Sequence, residues 1–209
     1  MFSKFKKDRG PDAAPGERPP RHSRGWAEVR NYLKQAESLR VLDFGSTSPA
    51  NINYITTLGH SVYMANIVQD ATRPEWLKTS KDASPEFDVD RFISANLDFS
   101  SRDFDVILLW DTANFLPPEM VPALFARLRK VLRPNGLLLA FFHGRLVGPE
   151  TVFSRFQLSD SDDLAVFDSG NFPVRQVYQN RQVEKFLEGY SNLRFFLGKD
   201  NVREVIAVR

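Results

Sequence analysis

The sequence predicts an α/β domain, a mostly parallel sheet with helices on both faces that ends in an antiparallel hairpin. Three observations predict it. From Gly25 onward, segments of helical period alternate with strand-like segments at least four times, as in a sheet crossed by helices. The run "FDVILLW" is apolar on both faces, as a central parallel strand must be. "LRFFLG" and "VREVIAVR" are separated only by Lys199, Asp200 and Asn201, too few residues for a parallel crossover, so they pair as a hairpin on the sheet edge.

The elements follow in order. "WAEVRNYLKQAESL" has apolar residues at Trp26, Val29, Leu33 and Leu39, loosely helical in spacing, and leads into the strand "RVLDFG". "PANINYITTLG" places Ile52, Ile55 and Leu58 on one helical face and stops at Gly59. "SVYMANI" is the second strand, "RPEWLKTS" a short helix, "DRFISAN" the third strand and "FDVILLW" the fourth. In "PEMVPALFARLRKVL" the apolar residues from Met120 to Leu132 form one stripe, and Arg127, Arg129, Lys130 and Arg133 gather at the negative end of the helix dipole. "RPNG" turns the chain into the fifth strand, "LLLAFF". The stretch from Arg145 to about Gln176 reads as irregular, and "NRQVEKFLEGY" as a helix before the hairpin.

Composition bounds the function classes. The 209 residues are 42% apolar, with 18 Phe, enough for one core of ordinary domain size. No apolar run approaches the roughly 18 residues of a membrane span, and the start "MFSKFKKDRG" has no apolar signal region, so the expectation is a cytoplasmic protein. The absence of Cys excludes disulfides, thiolate metal sites and a Cys nucleophile. "DSDD" at Asp160 to Asp163 reads as a solvated turn, and no metal is assigned. Net charge is only +2, but residues 1–24 carry seven basic residues against three acidic ones and four of the 13 prolines. That stretch reads as a flexible arm preceding a domain at 25–209. It is either a weak contact for anionic surfaces or a solubilising tail.

The strand "VLDFG", the block "FDVILLW…LRKVLRPNGLLLAFF", and the closing helix and hairpin together resemble the class I S-adenosylmethionine-dependent methyltransferases over residues 25–209. The resemblance implies a Rossmann-like, seven-stranded sheet whose last strand is antiparallel. It also implies S-adenosylmethionine as cofactor, lying across the carboxyl ends of the strands. The family pattern after the first strand is acid-x-Gly-x-Gly-x-Gly; this chain has Asp43, Phe44, Gly45, Ser46, Thr47, Ser48 and Pro49. Only one glycine remains, so Thr47 is expected in an altered loop or under strain. Ser48 and Pro49 suit an N-cap and first helical position, so the following helix still starts on time.

By the same resemblance, cofactor contacts fall on Asp43, Gly45, Ser46 and Thr47, on Asn66 and Ile67 after the second strand, on Asn96 and Leu97 after the third, and on Trp110 as a wall. Asn66 and Asn96 stand where the family usually has acids. Trading a charged for a neutral hydrogen bond costs about tenfold in affinity. Asp111 either orients an acceptor or acts as base, or it caps the next turn. His143, just past the fifth strand, is the one histidine placed for proton transfer. The aromatic residues from Phe141 to Phe172 either shape a small-molecule acceptor pocket or pack onto the core. Two functions stay open, methyl transfer to a small-molecule acceptor and a catalytically inactive binding or regulatory protein. A nicotinamide-dependent oxidoreductase is disfavoured, because Thr47 and Ala50 occupy its later glycine positions.

Overall fold

The computed structural model describes residues 16–80, 83–145 and 152–209. Its elements in chain order are β1 (Glu17–His22), α1 (Arg24–Gln35), β2 (Arg40–Phe44), α2 (Pro49–Thr57), β3 (Ser61–Ala65), α3 (Ile67–Asp70), β4 (Leu77–Ser80), β5 (Ala83–Phe87) and α4 (Val89–Asn96). There follow β6 (Phe104–Trp110), α5 (Val121–Val131), β7 (Leu132–His143), β8 (Val152–Gln157), β9 (Asp163–Asn171), α6 (Asn180–Phe186), β10 (Ser191–Leu197) and β11 (Val202–Val208).

The central sheet has six strands in the order β10-β11-β7-β6-β2-β3. β3, β2, β6 and β7 are parallel neighbours; β11 runs antiparallel between β7 and β10, which is the expected closing hairpin. All seven residues of β6 are buried, in keeping with its central place. One face packs on α1 and α2 through Trp26, Val29, Leu33 and Ile55, the other on α4 and α5 through Phe92, Leu124, Phe125 and Leu128. No helix among the described residues is long and apolar enough to cross a membrane.

Among the described residues the sheet has six strands, not the seven expected, and "DRFISAN" is helical. Val89, Phe92 and Ile93 have helical spacing, and the Asp88 side chain accepts from Arg91 N–H at the N-cap. Phe92 is fully buried, with its ring 5.1 Å from Trp76 and 5.3 Å from Phe87. That burial on a helical face outweighs the β-propensity of the short run. "RPEWLKTS" is likewise not a helix beyond a single 3-10 turn at Pro74–Trp76; its second half is β4, paired with β5. The chain then turns into β6 through Phe99, Ser100 and Ser101, all left-handed at φ 53, 50 and 61°. Phe99 is held there edge-on to both Tyr63 and Phe104.

The expected flexible arm does not extend to residue 24. Residues 1–15 lie outside the described residues, but Glu17–His22 is a strand paired with β9 in a separate antiparallel sheet, β1-β9-β8. A buried acid holds it. Glu204 on β11, 2% exposed, accepts from Arg21 Nη1, Ser23 Oγ and Gly25 N–H, and the Arg21 guanidinium lies 4.5 Å from the Phe141 ring centre. Counting aliphatic residues missed a segment anchored by a buried ion pair. The stretch read as irregular also contains β8 and β9, whose Phe156, Leu164 and Val166, with Leu158 between the strands, join the α1/α2 face of the core.

Candidate active site

The carboxyl ends of β2, β3, β6 and β7 meet at one edge of the sheet. β2 passes into Gly45, whose N–H extends the sheet by donating to Ala65 O at 2.9 Å. A Cβ at Gly45 would meet nothing within 4 Å, so the loop leaves open space beside its one remaining glycine. Neither Ser46 nor Thr47 has a positive φ, and Thr47 is exposed. The loop is thus an altered one with ordinary backbone geometry rather than a strained copy of a glycine turn. α2 starts where expected: Ser48 Oγ accepts from Asn51 N–H at 3.3 Å and Pro49 opens the helix.

Asp43 is 1% exposed and committed inward. Asn51 Nδ2 donates to its Oδ2 at 2.9 Å and Trp110 Nε1 to its Oδ1 at 2.6 Å. Burial pushes the Asp43 carboxyl above the usual range, and the two donors pull it only part of the way back. Trp110 ends β6 in the left-handed region at φ 51°, a conformation costing about 1–2 kcal/mol outside glycine. Its ring turns into the core, stacked 5.1 Å from Phe156 and edge-on 5.3 Å from Phe141. Asn51 also donates to Phe156 O and accepts from Leu158 N–H, so β8 is stitched to the start of α2. Ser46 Oγ in turn contacts Ser169 Oγ of β9. The β8–β9 hairpin therefore covers part of the loop.

Asn66 stands at the end of β3, at the start of α3, and its Nδ2 donates to Ser46 Oγ at 3.3 Å. Its Oδ1 is buried without a partner among the described residues. Ile67 is 2% exposed and its side chain belongs to the core. Asn96 and Leu97 are not at a strand end. They close α4, where Asn96 Nδ2 donates to Phe92 O within the helix, and Leu97 is fully buried while its carbonyl accepts from Arg127 Nε. A helix in place of the third strand removes the position that the family pattern assigns to them.

Past β6, Asp111 is 2% exposed, and its Oδ2 lies 3.2 Å from His143 Nε2 at the end of β7. The two residues chosen separately from the sequence form one acid–imidazole pair. Asp111 Oδ1 and the buried Thr112 Oγ1 have no hydrogen-bond partner among the described residues. Asn114, fully buried, was missed. It accepts from His143 N–H, donates to Gln176 O, and its carbonyl accepts from Arg175 N–H, so it fixes His143 relative to the segment before α6. Asn51 was missed too. Single buried amides leave no periodic signal, and only a three-dimensional hydrogen-bond account reveals them.

Residues 42–140 match the family model described as a methyltransferase domain. Over those residues, just under half of the chain, the sequence is similar to a methyltransferase domain. Similar solved structures include TehB from Haemophilus influenzae, 14% identical with a TM-score of 0.50, covering 88% of this chain and 62% of that one. A magnesium protoporphyrin IX methyltransferase from Synechocystis with bound SAH is 15% identical with a TM-score of 0.50, covering 88% and 78%. A SAM-dependent methyltransferase from Methanosarcina mazei is 13% identical with a TM-score of 0.51, covering 87% and 96%. At such identities the likeness is one of fold. No protein of curated function matches the sequence. Against the family pattern, the chain keeps the strand tips, the loop start at Gly45 and the helix cap. It lacks two of the three glycines and the third strand.

Most of the aromatic segment packs in or against the core. Phe141, Phe142, Phe153 and Phe156 are all 5% exposed or less and pack into the core. The acids of the "DSDD" turn face basic groups: Asp160 pairs with Lys34, Asp162 with Arg30 and Asp163 with His22.

Proposed function

We propose that the chain binds S-adenosylmethionine at the tips of β2, β3 and β6 and transfers its methyl group to a small-molecule acceptor. The observation that carries this reading is a convergence. The open side of Gly45 and three buried polar atoms without partners, Asn66 Oδ1, Asp111 Oδ1 and Thr112 Oγ1, all belong to the tips that the family uses for its cofactor. Buried polar atoms are nearly always satisfied, and three orphans at one edge suit a ligand that satisfies them. Gly45, Asn66, Asp111 and Thr112 fit the cofactor; Asp43 and Trp110, bonded to each other, do not contribute their polar atoms.

When bound, the cofactor supplies an electrophilic methyl group. The chain's own residues do the rest. Asp111 holds the His143 imidazole by its Nε2, which leaves Nδ1 as the nitrogen that takes a proton from an acceptor hydroxyl, amine or acid as it attacks. Asn114 fixes the backbone of His143 and so the direction of the ring. Alignment and exclusion of water supply most of the rate.

A second reading, a methyltransferase fold kept for binding alone, is favoured by the Trp110–Asp43 bond and the Phe156 ring stacked on it, which fill space beside the loop. Calorimetric titration of S-adenosylhomocysteine separates the two. Saturable binding that Asn66→Asp tightens about tenfold, the value of a charged over a neutral hydrogen bond, supports methyl transfer. No heat at millimolar ligand for either protein supports the binding-only fold.

A further inference from the structure

One residue beyond His143 lies a cleft that none of the roles above uses. It has a volume of about 520 Å³ and is lined by two arginines, Arg181 and Arg203, three amides, Gln179, Asn180 and Asn201, and the backbone at Gly144. No acidic side chain among the described residues lines it. Its position is set by the sheet: Arg203 pairs with Phe142 and Val202 with His143 in the β11–β7 register, so the cleft opens at the tip that carries the acid–imidazole pair. Gly144 is required there. Its N–H donates to Asn201 O at 2.8 Å, and a Cβ would come within 2.4 Å of that oxygen.

Arg203 is a half-buried cation without an ion pair among the described residues. Its guanidinium donates to two neutral acceptors, Asn180 Oδ1 and Tyr178 O, and its Nε is buried without a partner. Burial alone pulls its pKa down. The acids closest to it in sequence are spent elsewhere, Asp200 and Glu204 both on Arg21. Folding a cation into such surroundings costs free energy that an anion would offset, and a guanidinium held rigid by its neighbours is pre-organised for a planar or tetrahedral oxyanion.

We propose that this cleft binds an oxyanion, a carboxylate or phosphate group carried by the methyl acceptor, with Arg203 as the main contact and Arg181 as the second. The link to an acceptor rests on the methyl-transfer reading, since it is the nearness of His143 that makes the anion part of a substrate. The specificity consequence is that acceptors bearing an acidic group a short distance from the nucleophile are preferred to neutral analogues.

The test is an amide-resolved NMR titration of the full chain with inorganic phosphate and, separately, acetate, each against sodium chloride at matched ionic strength. The expected result is saturable movement of the Gly144, Asn180 and Asn201 signals with at least one oxyanion, the stronger of the two naming the group. Arg203→Gln should weaken it about tenfold or more, as for a lost charge-assisted hydrogen bond. Arg203→Lys, which keeps charge without the fork, and Arg181→Gln, at an exposed position, should weaken it in folded protein and guard against a loss of structure in the first variant. Movement equal to that with chloride, or unchanged in both Arg203 variants, overturns the proposal. S-adenosylhomocysteine added to the same sample keeps the two readings apart. If it fails to bind while the oxyanion response depends on Arg203, methyl transfer falls and anion recognition stands; if it binds while the oxyanions do not, the reverse holds.

Discussion

Trp110 carries three burdens at once: a left-handed backbone, a ring packed between Phe141 and Phe156, and the donor to Asp43 Oδ1. Trp110→Phe keeps an aromatic ring but removes that donor together with part of the indole, leaving a buried carboxylate oxygen unsatisfied. It should cost about 1–3 kcal/mol in urea denaturation, and an unchanged midpoint would mean that water replaces the indole. Tyr178 is the opposite case. Its hydroxyl is buried without a partner, and burial raises its pKa to about 12. A phenol whose folded pKa lies above its unfolded value near 10 contributes stability that is whole below pH 10 and lost as pH rises through about 12. Tyr178→Phe should therefore be neutral or stabilising near pH 7 and should flatten the fall in melting temperature across that alkaline window, measured by thermal scans of both proteins.

At the scale of elements, β1 is fastened through Glu204, which serves Arg21, Ser23 and Gly25 together. Glu204→Ala removes the shared buried acceptor of Arg21, Ser23 and Gly25, leaving Arg21 only Asp200, and should cost about 3 kcal/mol, with the amides of Arg21 and His22 losing hydrogen-exchange protection before those of the central sheet. Equal loss throughout would show that β1 is not a separable unit. These elements also show what was legible beforehand. β2, α2, β6, α5 and the closing hairpin were readable because apolar periodicity, the Ser48–Pro49 cap and the three-residue link are local signals. α4 was misread because "DRFISAN" is short enough for both periods, and only the Trp76 and Phe87 rings that receive Phe92 decide between them. β1 was missed because its pairing with β9 is long-range and its anchor is polar, whereas β8 and β9 are a local hairpin with an apolar face that was readable and passed over. The positions of the candidate residues were legible where the strands were right, Asp43, Gly45, Asn66, Asp111 and His143 all lying at or just past strand ends, whereas Asn96 and Leu97 close a helix.

For the molecule as a whole, the parallel strands bring four loops to one edge, and two features compete there. One is the open space at Gly45 with its three orphaned polar atoms; the other is the cover made by β8, β9 and the Trp110 ring. Methyl transfer requires that the open space hold the cofactor, with the hairpin as its roof. The most direct test maps amide shifts as S-adenosylhomocysteine is added to the full chain. Saturable changes centred on Gly45, Asn66 and the Asp111–Asn114 segment are the outcome required. A ligand that leaves those signals unmoved at millimolar concentration would contradict it.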